Sequence, residues 1–430
     1  MNRAQFLFAT LFTVFAASTV SGDGVPLDLM TTAERSGFRS TSTYADVRQL
    51  SKALARKGAF ITEHEMGRSH EQRSIPLLVI SKDPVNSLDD LADGDRMVVL
   101  AMANIHAGEV CGKEALLMLA REFALDRHSE LLENLVIILA PIYNPDGNER
   151  FSRDHRPGQI GPVNGVGQRP NAMGLDLNRD HVKLETPEAR ALVQLLNRCD
   201  PAVVIDCHTT NGSEHGYVLT FDGPRHPATD LALRELTENE LLPEISRRIE
   251  ADTGYRTQFY GNFARDKTRW VTYPAEPRYN TQYVGLRQRI GILSEAYAYA
   301  SFEDRVRATH RFVTECLQVC NDRSKEIQEV LDAARDQAGG EERKEVVIDF
   351  DDAPRKQPLK VLGVRDPQAD TLPEYMLEFW GATRSTQKVT RPFAYIVPAT
   401  YERVIENLQA HGIEVEVLRE DRDLTVESYR

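Results

Sequence analysis

Five short runs dominated by aliphatic residues punctuate this chain, at 76–80, 97–103, 135–140, 202–206 and 290–294. Between and around them lie segments with helical periodicity, at 43–57, 111–125, 187–198, 229–251 and 302–320. Runs this short and this rich in Val, Ile and Leu are what strands look like when both faces are covered. Strands that alternate with helices predict an α/β fold with a mixed, mainly parallel twisted sheet flanked by helices. Thr43 is a candidate N-cap for the first helix. Thr186-Pro187 opens the third with an N-cap residue and a proline at the first helical position. Pro243 predicts a break inside the fourth.

The 430 residues leave room for more than one unit. Residues 1–22 read as an export signal: Arg3 is followed by the uncharged 12-residue run Phe6 to Ala17, then by small residues, with Asp23 the first acid. That run is shorter than the ~20 residues of a membrane helix, so no stable membrane span is expected after its removal. Residues 23–325 are expected to form the main domain, and the charged stretch 326–345, with Gly339-Gly340, a linker. Residues 346–430 would then make a small C-terminal α/β module, with FAYIVP (393–398), a helix over 400–411 and IEVEVL (413–418) as a β-α-β unit.

A formal charge of -13 argues against a nucleic-acid partner, which would need a basic face. The five cysteines, Cys111, Cys199, Cys207, Cys316 and Cys320, cannot all pair within one chain, and no CxxC occurs. Small buried thiols are the expectation, in tension with an oxidising, secreted or periplasmic location.

The chemistry concentrates at strand ends. His106 and Glu109 follow the run MVVLAMA, His208 follows AVVIDC and Glu295 follows GILS. Open α/β sheets place their sites at the carboxyl ends of strands. His106-x-x-Glu109 alone is weak evidence. With 11 His and 65 acidic residues, about one or two chance copies are expected. A second copy does occur, His411-x-x-Glu414, ahead of an expected surface strand. Two imidazoles and a carboxylate nevertheless form a suitable zinc ligand set with a position left open, although another divalent metal is compatible. Glu295 at the end of an apolar run needs either a partner or a task. The stretch 141–174 has no periodic pattern and is rich in Gly and Pro. It is read as a wall of the site, since so long a loop is unusual otherwise.

On these residues, with NIHAGE (104–109), NPDG (144–147), RPNAMGLDLNRD (169–180), DCHTT (206–210) and ILSEAYAY (292–299), the chain resembles the zinc metallocarboxypeptidases over about residues 90–300. It is nearer to the carboxypeptidase E/N-like branch than to the pancreatic one. The resemblance implies one Zn2+ held by His106, Glu109 and His208, with Glu295 as the general base for zinc-bound water. It implies Arg169 as the oxyanion stabiliser, with Arg150, Arg153 and Arg156 as competitors in the same loop. Asn178 and Arg179 would hold the free C-terminal carboxylate of a peptide substrate. A mobile tyrosine over the bound chain end would be Tyr273, Tyr279 or Tyr283, and the reading leans to Tyr283. Two other readings stand beside it: an amidohydrolase of the aspartoacylase or succinylglutamate desuccinylase type, and a non-catalytic zinc- or peptide-binding module.

Overall fold

The computed structural model describes residues 24–340, 345–364 and 371–428. The expected export signal over 1–22 lies outside the described residues. In chain order the strands are β1 (Ile61–Arg68), β2 (Ser74–Ile80), β3 (Met97–Ala103), β4 (Leu135–Ala140), β5 (Val203–Thr210), β6 (Leu219–Asp222), β7 (Thr257–Phe259), β8 (Asn262–Phe263), β9 (Arg269–Val271), β10 (Ile290–Tyr297), β11 (Glu345–Ala353), β12 (Leu359–Leu362), β13 (Glu374–Trp380) and β14 (Ala382–Thr390). Eight of them form one mixed sheet in the order β1-β2-β4-β3-β5-β10-β6-β7. Its centre, β4-β3-β5-β10, is parallel throughout. The pairs β1-β2, β2-β4 and β10-β6 are antiparallel.

Alternation along β3 explains why its sequence is continuously apolar. Val99, Ala101 and Ala103 face one core, while Val98, Leu100 and Met102 face the other. The first core is closed by helices Tyr44–Lys57, Cys111–Ala124, Leu242–Thr253 and Phe302–Asp322, the second by Pro187–Cys199 and Asn280–Leu286. The five expected strands and the helices at 43–57, 111–125, 187–198 and 302–320 all form, with small shifts at their ends. The caps form too. Thr43 and Asp46 make a reciprocal capping box, and the Thr186 side chain accepts from the Ala189 amide at 3.1 Å.

The differences have physical reasons. The break expected at Pro243 is instead one widened turn, Thr237–Leu241, after which the helix resumes with Pro243 in its first turn, where no amide donor is needed. β1, ITEHEMGR, was not expected. As an edge strand it buries chiefly Ile61 and Met66 and shows polar side chains elsewhere. The stretch expected as a linker is mostly helix, Ser324–Gly339, whose Ile327, Leu331 and Ala334 join the first core.

The C-terminal region also departs from expectation. No strand forms at 393–398 or 413–418, so the expected β-α-β unit is absent; only its helix, Glu402–Ala410, exists. The strands lie earlier, in β11–β14. β13 pairs parallel with β9, so the C-terminal segment extends a hairpin of the catalytic region into a sheet ordered β12-β13-β9-β8. Among the described residues no helix is long and apolar enough to cross a membrane.

Candidate active site

The turn after β3 is built to bring two ligands to one point. Asn104 takes a left-handed conformation, φ 66°, and its side-chain amide donates to the Ala107 carbonyl at 3.3 Å. The Glu109 amide closes the turn on the His106 carbonyl at 2.9 Å. Gly108 is required by close approach: a Cβ there would lie 2.8 Å from the Arg156 side chain and 2.9 Å from the Gly167 carbonyl. The loop 141–174 therefore closes directly over the turn.

β5 and β10 supply the rest. His208 and Glu295 are register partners on these adjacent parallel strands. β3 leads to β4 on one side of the sheet, whereas β5 leads toward strands on the other. The site therefore sits in the crevice where connections diverge.

Within this crevice His106, Glu109 and His208 converge, with one ligand atom of each within 4.8 Å of the others. His106 Nδ1 is 3.1 Å from Glu109 Oε1, and His208 Nδ1 is 3.0 Å from Glu109 Oε2. The opposite ring nitrogens face carboxylates: His106 Nε2 lies 3.0 Å from Asp176 Oδ1, and His208 Nε2 lies 3.0 Å from Asp206 Oδ2. Each imidazole is thus held so that Nδ1 points inward and Nε2–H is spoken for. This is how metal-binding histidines are oriented and made more basic. The donor set and its backing fit a zinc ion.

The electrostatics agree. Burial opposes charge on Glu109, yet His106 and Arg156 outweigh it and hold the carboxyl well below its usual range. Burial likewise opposes a charged His208, but Asp206 and Glu109 raise it well above the ordinary imidazole value. A cation would replace that proton, since only the neutral ring coordinates. Burial pushes the Glu295 carboxyl up to about 8, with Glu109 and Asp206 acting in the same sense and His208 and Arg156 against it. Its Oε2 is buried and has no hydrogen-bond partner. A buried carboxylate oxygen left unpaired beside a ligand set is available to a reacting water.

Residues 47–213 match the zinc carboxypeptidase family profile. This stretch belongs to that family. The chain is 24% identical to the "Probable carboxypeptidase 2" of Arthroderma benhamiae over 388 residues, covering 85% of this chain and 69% of the relative. It is 32% identical to human carboxypeptidase D over 153 residues, 32% of this chain and 11% of that one. Among solved structures it is similar to the carboxypeptidase A of Helicoverpa armigera, with TM-score 0.49, 19% identity, and 67% of this chain and 75% of that chain covered. The family match and the carboxypeptidase relatives support a hydrolase of the metallocarboxypeptidase type.

The wall of this carboxypeptidase site carries two arginines. Arg156 donates to Glu109 Oε1 at 2.9 Å and to the Thr209 carbonyl at 2.7 Å. Arg169 lies 3.5 Å from Glu109 Oε1 and 2.9 Å from Asp176 Oδ2. Of the competitors named above, Arg150 instead pairs with Glu71 at 2.8 Å. Asn178 sits between strands and wall: its Oδ1 accepts from the Asn280 amide at 3.0 Å, and its Nδ2 is 3.4 Å from His208 Nε2. Arg179 is 35% exposed and lies over the Tyr279 ring at 4.4 Å. NPDG is architectural. Asn144 caps its turn by accepting from the Gly147 amide at 2.9 Å, and Asp146 is buried against Ser69 at 2.7 Å and Arg73 at 2.7 Å.

The preference for Tyr283 does not hold. That residue is buried in the second core on helix Asn280–Leu286, and its hydroxyl lies 2.7 Å from His411 Nδ1. Tyr279, one turn earlier, is the tyrosine beside Arg179. Its ring meets Tyr273 at 5.1 Å, and Tyr273 meets Tyr260 at 5.9 Å. Burial pushes the Tyr260 phenol up to about 12, with Glu295 adding to the effect. Three contributors had no role assigned from sequence: Asp176, Asp206 and Asn280. Asp206 carried a usable signal, because it lies two residues before His208 in a strand and so shares its face. Asn280 carried none.

All five cysteines are free and buried. Burial raises the Cys199 and Cys320 thiols to about 12, which makes them inert as nucleophiles.

Proposed function

We propose that the chain is a zinc-dependent exopeptidase that hydrolyses the C-terminal peptide bond of peptides with a free carboxylate. The observation that carries this is the paired orientation of the two imidazoles, Nδ1 toward Glu109 and Nε2 toward Asp176 and Asp206 at 3.0 Å each. A zinc ion held by His106, Glu109 and His208 would polarise the substrate carbonyl and make water a nucleophile at neutral pH. Glu295, with its unpartnered Oε2, takes the proton from the attacking water and hands it to the departing amine. Arg156 and Arg169, both within reach of Glu109, supply the positive field for the developing oxyanion. Asn178 and the partly exposed guanidinium of Arg179 grip the substrate carboxylate, with Tyr279 beside them. Such a grip is what selects chain ends. The export-like N-terminus supports a secreted or periplasmic location.

The test is hydrolysis of N-acylated dipeptides and their C-terminal amides by the wild type and by Glu295→Gln. The expected result is cleavage of free acids only, lowered about 100- to 10,000-fold in the variant at unchanged zinc content. Equal cleavage of amides, or full activity in Glu295→Gln, would overturn the reading. Hydrolysis of N-acyl amino acids without hydrolysis of peptides would favour the amidohydrolase.

A further inference from the structure

The helix Glu402–Ala410 has no fully buried residue, and Ala410 alone is a partly buried apolar contact with the second core, so apolar packing explains little of why it lies against the catalytic region. Polar contacts to one small area do. The Asn407 side-chain amide donates to the Val182 and Lys183 carbonyls at 3.2 and 3.0 Å. Asn197 donates to the Ala410 carbonyl at 3.0 Å. Past the helix, Gly412 adopts φ 77°, its amide bonds the Gln409 carbonyl at 2.9 Å, and the Ile413 amide bonds the Leu408 carbonyl at 3.0 Å. This is a Schellman turn, which only a residue tolerant of positive φ completes readily, and it presents His411 to the catalytic region.

His411 uses both ring nitrogens. Nε2 lies 2.9 Å from the Val182 carbonyl, which can only accept, so Nε2 carries the proton. Nδ1 lies 2.7 Å from the Tyr283 hydroxyl. The neutral ring therefore donates to Val182 and accepts from Tyr283. Both partners lead to the substrate grip. Val182 follows the Asn178–Arg179 pair within one turn of chain. Tyr283 stands on the helix whose Asn280 bonds Asn178 at 3.0 Å and Asp206 at 3.0 Å, and whose N-cap, Tyr279, underlies Arg179. Between them lies His181, whose ring is 5.9 Å from Tyr283.

We propose that His411 is a positioning residue of the peptide-binding site, clamping the segment 178–183 to the helix Asn280–Leu286 so that Asn178 and Arg179 present a fixed cradle to the substrate carboxylate. This rests on reading Asn178 and Arg179 as that cradle.

The test compares wild type with His411→Ala, Tyr283→Phe, the double variant, His411→Gln and Arg179→Ala. The first readout is steady-state kinetics on the free-acid dipeptides. The second, which needs no turnover, is amide exchange followed by mass spectrometry. His411→Ala should raise KM about 3- to 10-fold with kcat within about twofold. Zinc content should not change. Exchange should quicken in 177–186 and 278–284 and stay as in wild type over 104–110. The double variant should be no worse than the more damaging single one, because both remove one link. His411→Gln, which keeps an N–H for the Val182 carbonyl, should recover part of the loss. Unchanged KM in His411→Ala, with faster exchange confined to 400–413, overturns the proposal. If Arg179→Ala leaves KM untouched, the carboxylate-grip reading fails, and the exchange data still decide whether His411 holds the segment.

Discussion

The pattern His-x-x-Glu occurs twice in this chain, and its two copies do opposite things. His106 and Glu109 lie 3% exposed each at the end of β3, with a second imidazole and two carboxylates closing around them. His411 closes a surface helix, Glu414 beside it is exposed, and the ring is spent on a carbonyl and a tyrosine hydroxyl. The residues are the same. What differs is whether another strand delivers a third ligand, and whether carboxylates wait behind the rings. A histidine with Nδ1 facing an acid and Nε2 backed by another is prepared for a cation. One whose two nitrogens are satisfied by a carbonyl and a hydroxyl is a structural bridge.

Substitutions can break this contrast in decreasing order of effect. Glu109→Gln removes a proposed ligand and should abolish stoichiometric zinc, lowering kcat/KM about 1,000-fold or more; metal analysis with the dipeptide assay checks both. Asp176→Asn and Asp206→Asn leave the ligands in place but take away the acids behind them. Chelator competition should show zinc affinity weakened about 10- to 100-fold in each. If neither variant loses affinity, the backing carboxylates are not what separates the two copies. Glu414→Gln is the smallest case. Stability from thermal unfolding should stay within about 0.5 kcal/mol of wild type and KM should not change, as for an exposed residue.

Legibility followed periodicity and strand burial. The central strands β2, β3, β4, β5 and β10 carry uninterrupted aliphatic runs because helices cover them. β1, β6 and β7 were less legible: the first is a polar edge strand and the others are short. At the C-terminus the aliphatic runs 393–398 and 413–418 resemble strands, yet they pair with no strand among the described residues. The pairing partners are β9 for β13 and β14 for β11. Strand propensity without a partner does not make a strand.

The same division runs through the site. His106, Glu109, His208 and Glu295 stood out because each is a polar residue at the end of an apolar run, where burial is costly without a task. Arg156 and Arg169 were indistinguishable by composition, since both sit in one aperiodic loop; folding brings both to Glu109. Tyr279 and Tyr283 lie one helical turn apart, with nothing in their neighbours to say which faces Arg179. The direction in which helix Asn280–Leu286 packs decided it, turning Tyr283 into the core and toward His411.

Sequence alone determined the layered α/β architecture and the inward-facing strands, and singled out His106, Glu109 and His208 as candidate metal ligands, because hydrophobic period and ligand chemistry are local properties. Only the tertiary structure decided which acids back the imidazoles, which tyrosine lies beside Arg179, and that the histidine of the second His-x-x-Glu bridges a carbonyl and a hydroxyl. Those outcomes depend on contacts between segments up to 229 residues apart, such as His411 with Val182, and no local pattern encodes a partner at that distance.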